Sequence, residues 1–383
     1  MATTYRVGFR DEDEQTAGMA HLVEHLMGRT ARRAARSGGT GAQVVAESRR
    51  DYSIVGAVTP GGTLTGVIHA GVLRPAGLSI ELDELHIEAA LIEREYQDLI
   101  EARPYGLFPR FLAARHLYDT VGEGGTGYGD PQTLHRQTPA AVTAFVGRHY
   151  TLARTVLSVV GDFSPDEVID VVAEYFAGAP AQPASRQPWP VNGPLVQDRE
   201  VRYRRAGVPT AVALAWRLPD PADDLRAHVG RVLTGQAAFA PDGPVAAWLR
   251  DTYRGIGARM WWNTFNNPWE SRTGLCLTVE LTGGGSDRLA ESAMALRQAL
   301  PGLIERVSQP DLDILAARHR LDLTRKFDHP MERARLLGTM EALFDGATCW
   351  LDLWTVLCAT AHDPDPLARI VEATGCLVMR CET

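Results

Sequence analysis

The hydrophobic and polar positions of the chain follow helical and strand periods in turn. Apolar residues recur at intervals of seven through Leu85, Ile92 and Leu99, which predicts one long amphipathic helix over 82–101. The run at 51–58 alternates like a strand, and a short apolar strand at 157–160 ends in Gly161 and Asp162. Helices are predicted at 18–27, 82–101 and 165–176, and strands at 51–58 and 157–160.

The second half of the chain repeats this mixture of elements in a similar order. A run rich in proline and alanine at 179–194 interrupts all periodicity and favours an extended connector. We therefore predict domains at 1–180 and 196–383 with a linker at 181–195. The fold class indicated is α+β, with two similar domains that each carry a mainly antiparallel sheet flanked by helices. Strands are predicted at 211–216 and 275–281, and helices at 226–233, 290–304 and 311–325.

Composition excludes some classes of partner. The 383 residues carry a formal net charge of -8, so no overall positive field favours nucleic acid or an anionic membrane. No run approaches the roughly 18 apolar residues of a membrane span, and the first ten residues lack a secretory signal, which indicates a cytoplasmic protein. Five cysteines without paired C-x-x-C spacing favour free thiols in a reducing compartment.

The segment GMAHLVEHLM contains the candidate chemistry. On a helix with 100° per residue, His21, Glu24 and His25 share one narrow face. Two imidazoles one turn apart can bind zinc, and the glutamate between them can take a proton from the attacking water, which is the H-x-x-E-H arrangement. A surface helix with two solvated histidines is the alternative explanation, because so short a motif also arises by chance.

Several segments resemble the pitrilysin, insulinase and mitochondrial processing peptidase family. GMAHLVEHLM is similar to its G-x-A-H-x-x-E-H helix, and TGAQVVAESRRDYSIVGAV to the strands that follow. HIEAALIEREYQDL resembles its acidic helix, and TVLSVVGDFSPDEVIDVVAEYF the strand, Gly-Asp turn and helix near the end of its first domain. VAAWLRDTYRGIGARM resembles its second domain more weakly. The resemblance implies half of a clamshell, in which His21 and His25 bind zinc and Glu24 is the general base.

The resemblance also implies a third zinc ligand on the acidic helix. In the family this glutamate follows another glutamate by seven residues, and the earlier one supports the site from outside the metal ligands. Glu88 and Glu95 have this separation and are assigned these two roles. Glu95 lies 70 positions beyond His25, which is short for the family, whereas Glu101 at 76 positions fits the usual distance but follows Arg94 by seven. Glu101 therefore stays open as the alternative ligand.

Three departures from the family pattern affect the expected activity. Little sequence precedes the histidine helix, so the family's first strand is expected to be shortened or missing. Val45 to Ser48 replace the family's N-A-x-T stretch. The family's arginine and tyrosine that grip substrate are incomplete, because Arg250 matches the arginine but Gly257 stands at the tyrosine position. This incomplete pair predicts a homologous partner subunit that supplies the missing pair, in a heterodimer or otherwise a homodimer.

The expected activity is that of a zinc-dependent endopeptidase subunit acting on peptides. Trimming of a leader peptide is suggested by analogy alone. The rival hypothesis is a non-catalytic structural subunit with the same fold, which the altered Asn stretch and the absent tyrosine favour. Intact His21, Glu24 and His25 argue against it. A zinc-binding regulatory module without hydrolysis is a third possibility that the sequence leaves open.

Overall fold

A computed structural model describes residues 1–37, 39, 41–59, 78–177, 193–269, 271–272, 276–359, 363 and 365–383. Helices and strands mix throughout, as predicted. The helices are α1 Met19–Ser37, α2 Leu82–Tyr96, α3 Arg110–Leu117, α4 Val121–Gly124, α5 Pro131–His135, α6 Pro139–His149, α7 Pro165–Phe176, α8 Leu225–Ala238, α9 Pro244–Thr252, α10 Ser286–Ile304, α11 Gln309–Asp328, α12 Pro330–Phe344, α13 Cys349–Leu357 and α14 Asp365–Ala373. The strands are β1 Ala2–Tyr5, β2 Gln43–Ser48, β3 Ser53–Val58, β4 Thr155–Ser158, β5 Arg199–Arg204, β6 Ala211–Arg217, β7 Gly257–Trp262, β8 Cys276–Thr282 and β9 Leu377–Glu382.

The chain forms two compact units, and each unit takes segments from both sides of the linker predicted at 181–195. Most of that linker lies outside the described residues. Unit 1 comprises Met1–Tyr96, Gly125–Pro188 and Thr324–Trp350, and unit 2 comprises Gln97–Gly124, Trp189–Leu323 and Leu351–Thr383.

Unit 1 is built on an antiparallel sheet with the strand order β2-β3-β1-β4. Helix α1 packs on β2 and β3, and α2 packs on α1. Helix α12 comes from the second half of the sequence and packs on β1, β3 and β4. Close packing is visible at Gly56, where an added Cβ atom would lie 3.2 Å from the Met331 side chain on α12. The apolar core includes Tyr5, Met19, Leu22, Val55 and Ile92.

Unit 2 contains a sheet with the strand order β5-β9-β6-β8-β7. All neighbouring pairs are antiparallel except β5 and β9, which are parallel. The part β7-β8-β6-β9 has the same order and directions as β2-β3-β1-β4 of unit 1. Helix α3 comes from the first half of the sequence and packs on β6, β8 and β9. The α+β fold class with two similar, mainly antiparallel domains is therefore confirmed, and the shared strand order supports a duplication.

Two predicted elements differ from the structure. The helix expected over 82–101 is α-helical only as far as Tyr96, and Gln97–Glu101 forms a π-helical turn that belongs to unit 2. Leu99, expected on the buried stripe, is exposed because the wider turn breaks the seven-residue period. The first strand is short but present: β1 lies between β3 and β4 and is completely buried.

Candidate metal centre

Helix α1 presents its two histidines from a rigid, well-anchored position. Its apolar side is buried in the core through Met19, Leu22, Val23 and Leu26. Both oxygens of the Glu12 carboxylate accept hydrogen bonds of 2.8 Å from the first turn, one from the Gly18 N–H and one from the Ala20 N–H. A carboxylate suits this end of a helix, because the unpaired N–H groups there carry partial positive charge.

Side chains from α1 and α2 converge at one point in unit 1. Oε2 of Glu95 lies 3.6 Å from Nε2 of His21, and Oε1 of Glu95 lies 3.6 Å from Nε2 of His25. His21, His25 and Glu95 each offer one ligand atom, and these three atoms lie within 4.8 Å of one another. Oε2 of Glu24 lies 3.5 Å from Nε2 of His21. The cluster therefore contains three metal-ligating side chains and one further carboxylate.

Glu88 lies behind His25, on the side away from Glu95. Its Oε2 lies 3.1 Å from Nδ1 of His25, and its Oε1 accepts a hydrogen bond of 2.9 Å from Nη1 of Arg29. Glu88 is buried, whereas the Glu95 side chain is 44% exposed, so the point of convergence is open to solvent on the Glu95 side. The seven-residue spacing brings both glutamates to α1, because seven residues are nearly two turns of α2.

Burial and neighbouring charges set the protonation of the cluster. Burial, together with the charge of His25, lowers the pKa of His21 to about 3, which keeps this imidazole neutral. Burial raises the pKa of Glu24 to about 7, with the Glu95 and Glu47 carboxylates adding to the effect. A carboxylate with a pKa close to neutrality can both accept and return a proton at physiological pH.

His25 and Glu88 favour each other's charged forms. Burial lowers the pKa of His25, but the hydrogen bond to Glu88 and the nearby Glu24 and Glu95 carboxylates raise it above the usual value overall. Burial raises the pKa of Glu88, but the hydrogen bonds from His25 and Arg29 lower it overall. A metal ion at His25 has to compete with a proton that Glu88 helps to hold.

Two sequence candidates lie outside this cluster. Glu101 belongs to the π-helical turn in unit 2, where its Oε2 lies 3.0 Å from Nη1 of Arg205. Arg250 lies exposed on α9 of unit 2 and donates a hydrogen bond of 2.9 Å to the Pro241 carbonyl. Among the described residues, the metal-ligating group combines His21 and His25 with Glu95 and does not include Glu101.

Sequence reasoning missed the segment that covers His21. The backbone of Gly127 hydrogen-bonds the His21 imidazole, and the ring of Tyr128 packs edge-on with its centroid 5.3 Å from that of His21. Gly129 has φ +67°, and an added Cβ atom would lie 2.3 Å from the Ala17 carbonyl oxygen. The run of glycines in GTGYGD was the available signal, because glycine permits such close backbone approach.

A second missed feature is a charged group on β2 beside Glu24. The Oε2 atom of Glu47 lies 3.0 Å from Nη2 of Arg49 and 2.5 Å from Nη2 of Arg335 on α12. Nη1 of Arg335 also lies 2.9 Å from Oε1 of Glu332. The positions that depart from the family's N-A-x-T stretch thus carry an ion-pair network. Arg335 could not be paired with Glu47 from sequence, since nearly 290 residues separate them.

Comparison with known proteins agrees with this fold. Residues 137–253 match the family described as Peptidase M16 inactive domain. The chain has the M16 peptidase fold. The crystal structure of a protease from Helicobacter pylori is similar, with a TM-score of 0.78 and 16% identity, covering 100% of this chain and 93% of that chain. The resemblance to the pitrilysin, insulinase and mitochondrial processing peptidase family is confirmed.

Two further structures extend the M16 comparison. A peptidase M16 inactive domain from Pseudomonas fluorescens gives a TM-score of 0.75 at 14% identity, covering 99% of this chain and 91% of that chain. The first half of the periplasmic protease PqqL from Escherichia coli gives a TM-score of 0.66 at 16% identity, covering 99% of this chain and 86% of that chain. No curated protein matches the sequence significantly. These structural similarities support the M16 fold. The family match covers residues 137–253 and does not include the metal centre.

No helix in the described part of the chain is both long enough and apolar enough to cross a membrane.

Proposed function

We propose that this chain is the zinc-carrying subunit of an endopeptidase that cleaves peptides. The observation that carries the proposal is the convergence of His21, His25 and Glu95 in unit 1, with Glu24 beside them. A solvated surface helix would not bring these four side chains together at a partly buried position. The M16 fold supports the proposal because it supplies the scaffold on which this chemistry was expected.

The donor set fits zinc. Two imidazole nitrogens and one carboxylate oxygen are ligands that catalytic zinc sites use, with a fourth position open. Ligand atoms at roughly 2.0–2.2 Å from a tetrahedral ion lie about 3.4 Å apart, close to the 3.6 Å between Glu95 and each histidine. Glu88 at Nδ1 of His25 matches the carboxylate that commonly orients a metal-binding histidine. His21, His25 and Glu95 would hold the ion.

Different residues of the chain have different roles in the proposed reaction. Zinc, when bound, supplies a Lewis acid that polarises the peptide carbonyl and acidifies water. Glu24 accepts the proton of the attacking water and returns it to the departing amine. Its pKa of about 7 suits both directions of transfer. Glu88 keeps the His25 ring oriented, and the Gly127 backbone does the same for His21.

The substrate is proposed to be an extended peptide held at a sheet edge. Strand β2 is terminal in the sheet of unit 1 among the described residues, and β2 packs against α1. Its outer edge can hydrogen-bond an added strand, and side-chain pockets would provide selectivity. Leader-peptide trimming in the cytoplasm is the suggested task. The five cysteines, which are free, suit that compartment, although PqqL is described as periplasmic.

A homologous partner subunit completes the proposed enzyme. Arg250 is the candidate substrate-binding residue, but Gly257 replaces the tyrosine that the resemblance leads one to expect. A heterodimer with a subunit that carries both residues would restore the pair, and a homodimer is the other arrangement. Co-purification with a homologue that lacks H-x-x-E-H supports the heterodimer, whereas full activity of the isolated chain contradicts it.

A non-catalytic structural subunit is the second candidate function. The matched family is described as inactive, and the arginine and tyrosine pair is incomplete. These observations favour a scaffold role, whereas the complete donor set at His21, His25 and Glu95 favours catalysis.

The test is endoproteolysis of a peptide library by the chain alone and with its co-purified partner. Cleavage that a chelator abolishes, and that added zinc restores, supports the enzyme. Zinc-loaded protein that leaves every peptide intact, with or without the partner, contradicts the enzyme and supports the structural subunit. The variant Glu24→Gln serves as the matched negative control in each assay.

A further inference from the structure

Unit 2 contains a degenerate copy of the metal-binding helix. Helix α8 precedes β7 as α1 precedes β2, in sheets of matching order. The sequence AHVGRVL at 227–233 aligns with AHLVEHL at 20–26. His228 therefore stands at the position of His21, and Arg231 at the position of Glu24. Val232 replaces His25, so the copy has lost the pair of histidines that a metal needs.

The following helix supports the same alignment. On α10, Leu289, Ser292, Ala293 and Leu296 are buried at the spacing of Leu85, Glu88, Ala89 and Ile92 on α2, which are also buried. Ala299 falls at the position of Glu95. The two acidic residues of the metal centre are thus replaced by Ser292 and Ala299, and the site in unit 2 is cationic instead of anionic.

Arg231 is buried without a partner for one edge of its guanidinium group. The residue is only 4% exposed. Its Nε and Nη2 atoms have no hydrogen-bond partner in the described part of the chain. Asp223 and Asp224 attract it through space, but neither forms an ion pair with it among the described residues. Nε and Nη2 together form the planar fork that binds a carboxylate through two parallel hydrogen bonds.

Two neighbouring side chains also have unused polar atoms on this side of α8. The ring of Trp262 lies against Gly235, one turn beyond Arg231, and its Nε1 donor has no partner among the residues described. His228 lies one turn before Arg231. Its Nε2 lies 3.1 Å from the Pro268 carbonyl, and its Nδ1 has no partner in the same described set.

We infer that unit 2 binds a small carboxylate at the Arg231 fork, on the face of α8 that also carries His228 and Trp262. Arginine stays charged inside proteins, and an unpaired buried charge is costly, so the fork requires an anion of matching shape. A planar carboxylate accepts from Nε and Nη2 simultaneously, whereas a spherical halide cannot meet both donors as well. The inference concerns unit 2 alone and does not depend on zinc or on peptidase activity.

Formate is the probe, because it is the smallest carboxylate and can reach a buried site. The full chain, dialysed against a chelator so that formate cannot act through a metal, is unfolded with urea at constant ionic strength. Sodium chloride replaces formate in a parallel titration, so that the ionic strength is the same at every point. We expect the unfolding midpoint to rise with the logarithm of formate concentration. Chloride at the same concentration should produce a clearly smaller rise.

Matched variants identify the site. Arg231→Gln should abolish the dependence on formate, and Arg226→Gln, an exposed arginine on the same helix, should retain it. If Arg231→Gln does not fold, equilibrium dialysis of labelled formate with the unmodified chain replaces it, and about one formate per chain is expected. No formate dependence, an equal effect of chloride, or a dependence retained in Arg231→Gln overturns the inference.

Discussion

Oε2 of Glu88 lies 3.1 Å from Nδ1 of His25, while Nε2 of the same ring faces Glu95. The two nitrogens of one imidazole thus have different tasks. One is held by a buried carboxylate, and the other is directed to the candidate metal position. Because the orientation of the ring depends on this contact, Glu88 is expected to influence metal affinity without touching the metal.

Replacing Glu88 with glutamine should weaken zinc binding about 10- to 100-fold while the chain stays folded. Competition with a zinc chelator measures the affinity. Glu84→Gln is the matched control, because Glu84 lies on the same helix and pairs with Arg29 and Arg33 but not with a histidine. Equal zinc affinities in the two variants would contradict the positioning role of Glu88.

Glu24→Gln should retain zinc and fold but lose at least ~100-fold in peptide cleavage, because the amide cannot accept the proton of water. Zinc content and turnover are measured on the same preparation. Glu93→Gln, on the exposed side of α2 where Glu93 pairs with His135, should cleave normally. Near-normal turnover by Glu24→Gln would refute the role of general base.

The contribution of His228 to the stability of the metal-free chain should fall as the pH falls below about 6.5. Burial lowers the pKa of His228 from its ordinary value of 6.5 to about 3. Between these pH values the unfolded chain binds a proton that the folded chain does not, so acid favours unfolding by up to about 1.4 kcal/mol per pH unit for each such group. His21 acts in the same direction, whereas the buried carboxyl groups of Glu12 and Glu24, whose pKa values are raised to about 8 and about 7, act in the opposite direction. The contribution of His228 therefore has to be isolated by substitution.

His228→Phe isolates the contribution of one group. The ring can still pack against Trp269, but no proton binds in the unfolded state. Urea unfolding between pH 4 and 7 should therefore give a slope of stability against pH that is lower, by about one proton, than the slope of the unmodified chain. An unchanged slope would mean that His228 does not remain neutral in the folded chain.

Glu12→Ala should destabilise the chain by about 2–4 kcal/mol, because it leaves the N–H groups of Gly18 and Ala20 buried without their acceptor. Urea unfolding measures the loss. Glu14→Ala, an exposed neighbour, is the control and should change stability by less than ~0.5 kcal/mol. Equal stability of both variants would contradict the capping role of Glu12.

Local patterns predicted much of this structure because they report local forces. The helix at 165–176 follows from Pro165 and its apolar period, and its bounds agree with α7. The roles of Glu88 and Glu95 were predicted from the resemblance to the family, in which two glutamates seven residues apart support and bind the metal. The strands near 211–216 and 275–281 were found because buried β-strands form nearly continuous apolar runs.

Long-range relationships could not be obtained in the same way. Helix α3 packs on the sheet of unit 2 and α12 on the sheet of unit 1, although each comes from the other half of the sequence. No local sequence pattern predicts this exchange, since an amphipathic helix does not encode which sheet it covers. The contact of Gly127 and Tyr128 with His21 joins positions more than 100 residues apart. The break at Tyr96 was missed because the apolar period continues through Leu99 although the hydrogen-bonding pattern changes.

The central claim is that His21, His25 and Glu95 form a zinc site, and zinc content tests it most directly. Elemental mass spectrometry of the dialysed chain is compared with the variants Glu95→Ala and Glu101→Ala. The account predicts about one zinc per chain, retained in Glu101→Ala and lost in Glu95→Ala. No zinc in the unmodified chain after the metal is supplied, or equal retention in both variants, would contradict it.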